Sequence, residues 1–185
     1  MGYRRIGVSA VGVMLLSAGQ GVQALPIQLF DTGSVGANPS VAAAYRDAAD
    51  RWEALISDPV NLKLNISYAH STSNQLAWAQ SSFVNANYSD VRAALQSDVS
   101  SLNDASAAGS LTGGSSINLL INRTSDSPNG SGSQVPYLDA NGSLNNQSLL
   151  LSRANARAIG LLPANDAFID ASLTFNSKYN WDYNP

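Results

Sequence analysis

The chain has 185 residues, of which 44% are hydrophobic and only 12% charged, with a formal net charge of −3 and no cysteine. Disulfide staples and cysteine-ligated zinc or iron–sulfur centres are thereby excluded, and nucleic acid is a poor partner for a surface without clustered lysine and arginine. About 160 residues remain behind an N-terminal leader, enough for one domain that buries roughly 70% of its unfolded surface.

The first residues carry an export signal. Arg4 and Arg5 form a basic start, 6–18 an apolar run and Val22-Gln23-Ala24 a small-residue cleavage site. The mature protein is therefore expected to begin near Leu25, in a secreted or periplasmic location. The paired arginines suit twin-arginine as well as Sec export. The apolar run is too short for a bilayer and no later stretch approaches about 20 apolar residues, so no membrane span is expected. Ten lysines and arginines less Arg4 and Arg5 leave eight against thirteen acids, a formal charge of −5.

The predicted elements begin with a short strand at 27–30. Asn38 and Pro39 then join an N-cap to a proline at the first helical position, and Val41, Ala44, Tyr45, Ala48, Trp52, Leu55 and Ile56 recur at helical spacing. This predicts a helix over 39–57, ended by Asp58-Pro59. From Val60 the period changes to two, with Val60, Leu62, Leu64, Ile66 and Tyr68 on one side, the pattern of a half-buried strand packed on that helix. Weaker alternation around Leu76, Trp78 and Phe83 marks 70–87 as loop or edge strand. A second helix starts near Tyr88, capped by Ser89, with Val91, Ala94, Leu95 and Leu102 on one face.

Beyond the Gly/Ser-rich 109–116, Ile117, Leu119 and Ile121 share one side of a strand. Residues 123–147 form a long loop with turn signals at Pro128-Asn129-Gly130 and Asn141-Gly142, shortened if 135–138 makes a hairpin. A strand at 149–151 leads to a helix over 153–161, capped by Ser152, stopped by Gly160 and packed through Ala154, Ala158 and Leu161. The last strand, 171–179, sets Leu173 and Phe175 on one side. The mixture predicts an α/β or α+β fold, a mixed twisted sheet with backing helices.

The runs RANARAIGL at 153–161, LTFNS at 173–177 and NWDY at 180–183, with 48–60 and 88–95, resemble bacterial secreted zinc metalloproteases of zincin, metzincin-like type. The resemblance implies the N-terminal subdomain of a zincin, a peptide-bond hydrolase with a Zn²⁺ cofactor and a peptide or protein substrate. In that family a similar segment stands just before a His-Glu-x-x-His helix that supplies two zinc ligands and the general base. This chain has one histidine, His70, and one glutamate, Glu53. It is therefore expected to be an N-terminal piece that supplies the sheet, the backing helix and one wall of the cleft, with zinc ligands and base beyond residue 185. By the same resemblance Leu173, Thr174, Phe175 and Asn176 form the edge of the substrate cleft, where an extended peptide pairs antiparallel through main-chain hydrogen bonds. An ordinary core strand fits those four residues equally well.

The other candidates have plainer explanations. Glu53 reads as a solvated helix charge, His70 as a turn residue, and Trp181 and Tyr183 as packing anchors. Asp139-Ala140-Asn141-Gly142-Ser143 alternates oxygen side chains as a calcium loop begins, but it lacks a further acid and a closing glutamate, and an Asn-Gly turn accounts for it. Asp166 and Asp170 are two acids in a Pro- and Asn-rich turn. If residue 185 is the C-terminus, the alternative is a non-enzymatic secreted binding or structural domain that contacts a surface polysaccharide or protein through Trp78, Trp181 and Tyr183.

Overall fold

A computed structural model describes residues 26–125 and 127–183, and the expected leader over 1–24 lies outside them. Strand β1 (Ile27–Gly33) is followed by helix α1 (Pro39–Glu53) and strand β2 (Leu62–Ala69), then β3 (Ala77–Ser81), β4 (Phe83–Asn87), α2 (Tyr88–Ser97) and α3 (Leu102–Gly109). Next come β5 (Leu119–Ile121), β6 (Tyr137–Asp139), α4 (Leu144–Gln147), β7 (Ser148–Ser152), α5 (Arg153–Ala158) and β8 (Ala171–Asn176). The fold is mixed α/β, as the alternation of periods predicts.

The main sheet has the order β1-β2-β8-β3. The pairs β1–β2 and β2–β8 are parallel, whereas β3 runs antiparallel to β8. Two small antiparallel ladders, β4–β7 and β5–β6, lie outside it. The second of these is the hairpin-like pairing that shortens the long loop.

Helix α1 backs one face of the main sheet because its crossover joins two parallel strands. Val41 and Ala49 are its buried residues, meeting Ile27, Val60 and Ile66, with Leu29, Leu62, Leu64 and Tyr45 packed around them. Burial of Val41, Val60 and Ile66 contributes on the order of 1.5–3 kcal/mol each. The helix ends at Glu53, four residues short of the expected 57, and Trp52 and Leu55 are left 59% and 77% exposed. The buried stripe turns through Ala49 instead.

Other boundaries differ for local reasons. The single helix expected from Tyr88 to Leu102 is two, because Ser101 caps α3 with its side chain and receives Asp104 in return, which starts a new helix and leaves Leu102 90% exposed. At the start of α2 the N-cap position is Asn87, not Ser89. Ser152 does cap α5, its hydroxyl accepting from Asn155 N–H at 3.2 Å. The buried residues of that short helix are Ala156 and Arg157 rather than the expected stripe of Ala154, Ala158 and Leu161.

Candidate functional site

The two outer strands of the main sheet end it differently, and the difference starts with one helix. Ile27 of β1 turns its N–H and C=O away from β2, and α1 reaches both: Glu53 Oε1 accepts the N–H at 2.7 Å and Arg46 Nη1 donates to the carbonyl at 3.0 Å. Arg46 also pairs with Glu53 at 2.6 Å. Glu53 is thus not the solvated charge its helical position indicates but a half-buried cap on the sheet edge. Further along β1, the register slips between Asp31 and Gly33, so that Thr32 forms a bulge. Asp31 turns its carboxylate back to the N–H groups of Gly36, Gly33 and Val35, which hold it below the usual aspartate range. Charge and bulge are the ordinary means of blunting an edge.

Strand β3 has neither. Its sequence, Ala-Trp-Ala-Gln-Ser, carries no charge and no proline, all five residues are exposed, and among the described residues no strand pairs with its outer side. The ladder to β8 fixes which main-chain groups stay open. Asn176 N–H donates to Leu76 O at 2.9 Å and Ser82 N–H to Asp170 O at 2.7 Å, so the hydrogen-bonded pairs fall on even positions. Antiparallel strands alternate, and Ala77, Ala79 and Ser81 therefore turn their N–H and C=O groups outward. Three consecutive docking points for an extended chain result.

This corrects the edge expected at Leu173, Thr174, Phe175 and Asn176. These residues form the inner strand β8, hydrogen-bonded to β2 on one side and β3 on the other. The cause is the loop over 70–76, which folds back and lays 77–81 outside β8. Asn176, fully buried, organises that loop: its Nδ2 donates to Ser71, Ser73 and Gln75 carbonyls at 3.3, 3.4 and 3.0 Å, and its Oδ1 accepts from Ser71 N–H at 3.0 Å. The weak alternation within 70–87 leaves loop and edge strand both open, and nothing local says which of two strands lies outside.

The aromatic candidates separate onto opposite faces. Trp78 stands beside Thr174, whereas Phe175 packs edge-on against Tyr45 and Trp181 at 5.6 and 4.9 Å between ring centres, on the α1 side. Trp181 Nε1 donates to Asn176 O at 2.9 Å, and Tyr183 OH donates to Tyr68 OH at 3.2 Å, a bond that pushes the Tyr183 phenol up to about 12. Trp181 and Tyr183 are packing anchors, and they share no surface with Trp78. Together with Tyr45 and Val41 they border an apolar cavity of about 190 Å³.

Charges behind the sheet are paired. Arg153 meets Asp166 and Arg157 meets Asp170, one turn apart on α5 and four residues apart on the turn over 163–170. Asp170 also accepts Lys63 N–H at 2.8 Å, and Arg157 donates to Asn61 O at 2.8 Å, so the second pair is sealed between α5 and β2. These acids are structural. Asp139 ends β6 just before the Asn-Gly turn, where Gly142 adopts φ +68°, and Asn145 donates to the Asp139 carboxylate at 2.9 Å.

The residues present do not fit a zinc ion. His70 is an exposed residue just after β2, Glu53 is spent on Ile27 and Arg46, and among the described residues no three His, Cys, Asp or Glu side chains are grouped to hold a metal. Nor is any described helix long and apolar enough to cross a membrane. Compared with protein families, curated proteins and solved structures, the chain matches none.

Proposed function

We propose that this chain supplies the sheet half of the substrate cleft of an exported zinc-dependent endopeptidase, and that an extended peptide or protein segment pairs with the outer edge of β3. The observation that carries it is the bare edge itself: Ala77, Ala79 and Ser81 present their main-chain groups outward from an uncharged strand, while on the opposite edge of the same sheet Arg46 and Glu53 cap Ile27. Main-chain pairing to a free edge gives affinity for any extended peptide, which is what an endopeptidase requires before chemistry begins. The leader-like 1–24 and the absence of cysteine suit an exported enzyme stabilised by packing. The zinc ligands and the general base that such an enzyme needs would have to come from residues other than those described.

The test is made on the product of the whole reading frame. A frame that continues through His-Glu-x-x-His, a purified product holding about one zinc per chain, and cleavage of an unfolded protein substrate that stops on chelation are the expected results. A frame without those ligands, or a zinc-loaded product that leaves such substrates intact, overturns the proposal.

A further inference from the structure

We propose that Trp78 selects which peptide pairs with β3, favouring an aromatic or β-branched residue at the position directly opposite it; this rests on the peptide-pairing role of β3 above. The argument is one of hydrogen-bond parity. A peptide that uses the outward groups of Ala77, Ala79 and Ser81 makes its hydrogen-bonded pairs with those three, and so meets Trp78 and Gln80 in non-hydrogen-bonded pairs. In such pairs the Cα atoms approach to about 4.5 Å and the side chains stand closer than in the hydrogen-bonded ones. The two large side chains of β3 therefore occupy the positions where side-chain identity counts most.

The faces reinforce this. Ala77, Ala79 and Ser81 lie on the side of Leu173 and Phe175 and are too small to discriminate among partners, whereas Trp78 and Gln80 share the other side with Thr174 and Ser172. Trp78 is 40% exposed, and its indole N–H has no hydrogen-bond partner among the described residues. A half-exposed ring set between the Thr174 position on one side and the open edge on the other is suited to stacking on a flat or branched neighbour. No charged residue stands on β3 to compensate an acid or a base placed against that ring. Because the incoming chain runs antiparallel, the preferred segment has a polar residue facing Gln80 and, two positions later, an aromatic or β-branched residue facing Trp78.

The experiment uses the 185-residue chain and four extended peptides of alternating Ser and Thr that differ only at one central residue, Phe, Val, Gly or Asp. Binding is followed by titration, and pairing by slowed amide exchange at Ala77, Ala79 and Ser81. In the wild type the preference for Phe or Val over Gly exceeds that of Trp78→Ala by up to about fivefold, and Trp78→Phe restores most of it. Equal preference in the wild type and Trp78→Ala, with the three amides protected in both, overturns the role of Trp78 and leaves edge pairing standing. Amides that no peptide protects overturn the pairing and the selectivity together.

Discussion

Asn176 and Trp181 are tied at the end of β8: the indole Nε1 donates to the Asn176 carbonyl at 2.9 Å, while the Asn176 side chain, fully buried, holds the loop that delivers β3. One residue thus connects the aromatic cluster under α1 to the open edge. Asn176→Ala removes the donor to Ser71, Ser73 and Gln75 carbonyls and the acceptor for Ser71 and Lys178 N–H groups. The expected cost is about 2–4 kcal/mol, read as a lower urea midpoint, with faster amide exchange over 71–81.

Arg157 and Asp170 form an ion pair whose side chains are 0% and 3% exposed. Burial holds the arginine below its usual basicity. Arg157→Met alone strands a buried carboxylate and is expected to cost about 3–5 kcal/mol. Arg157→Met combined with Asp170→Asn keeps an acceptor for Lys63 N–H and loses clearly less than the two single variants added together, which thermal melts of all four proteins measure.

Asp166 titrates below the ordinary aspartate value of 3.8 because Phe168 N–H donates to it and Arg153 and Arg157 stand nearby. A carboxyl whose folded pKa is depressed adds stability that is complete above the unfolded value and fades as pH falls through the folded one. Stability therefore falls as pH drops below about 4, the ordinary aspartate range, and Asp166→Asn flattens that part of the profile. Urea midpoints at successive pH values give the comparison.

Gly33 sits at the β1 bulge against Ser67: a Cβ there meets Ser67 Oγ well inside contact distance, so that hydroxyl must move to admit it. Gly33→Ala is expected to destabilise by about 1–3 kcal/mol, by overpacking rather than by backbone strain. Ser67→Ala in the same chain recovers most of the loss, and a double-mutant cycle of melting temperatures reads the coupling.

Much of the frame was legible because it rests on local periodicity. The switch from spacing 3.6 over α1 to spacing two over β2, the Asn38-Pro39 entry and the Ser152 cap all act within a few residues of themselves. What the sequence could not reveal was set by contacts far apart in the chain. Glu53 looks solvated until Ile27, 26 residues earlier, is seen donating to it. Leu173 to Asn176 look like an edge until a loop about 100 residues earlier lays β3 outside them. Asp166 and Asp170 read as two acids in a turn until Arg153 and Arg157, one turn apart on α5, are seen paired with them. The break between α2 and α3 had a readable signal in Ser101 and Asp104, a capping pair three residues apart.

The unequal edges of the main sheet also decide how copies of the protein meet when crowded. Growth of a sheet from molecule to molecule needs two receptive edges on each, and here Arg46 and Glu53 at Ile27 and the bulge at Thr32 blunt one. Joining β3 to β3 across a two-fold axis consumes the remaining edge of both partners. That contact is isologous and closed, so self-association by this route ends at a pair and does not propagate into a fibre.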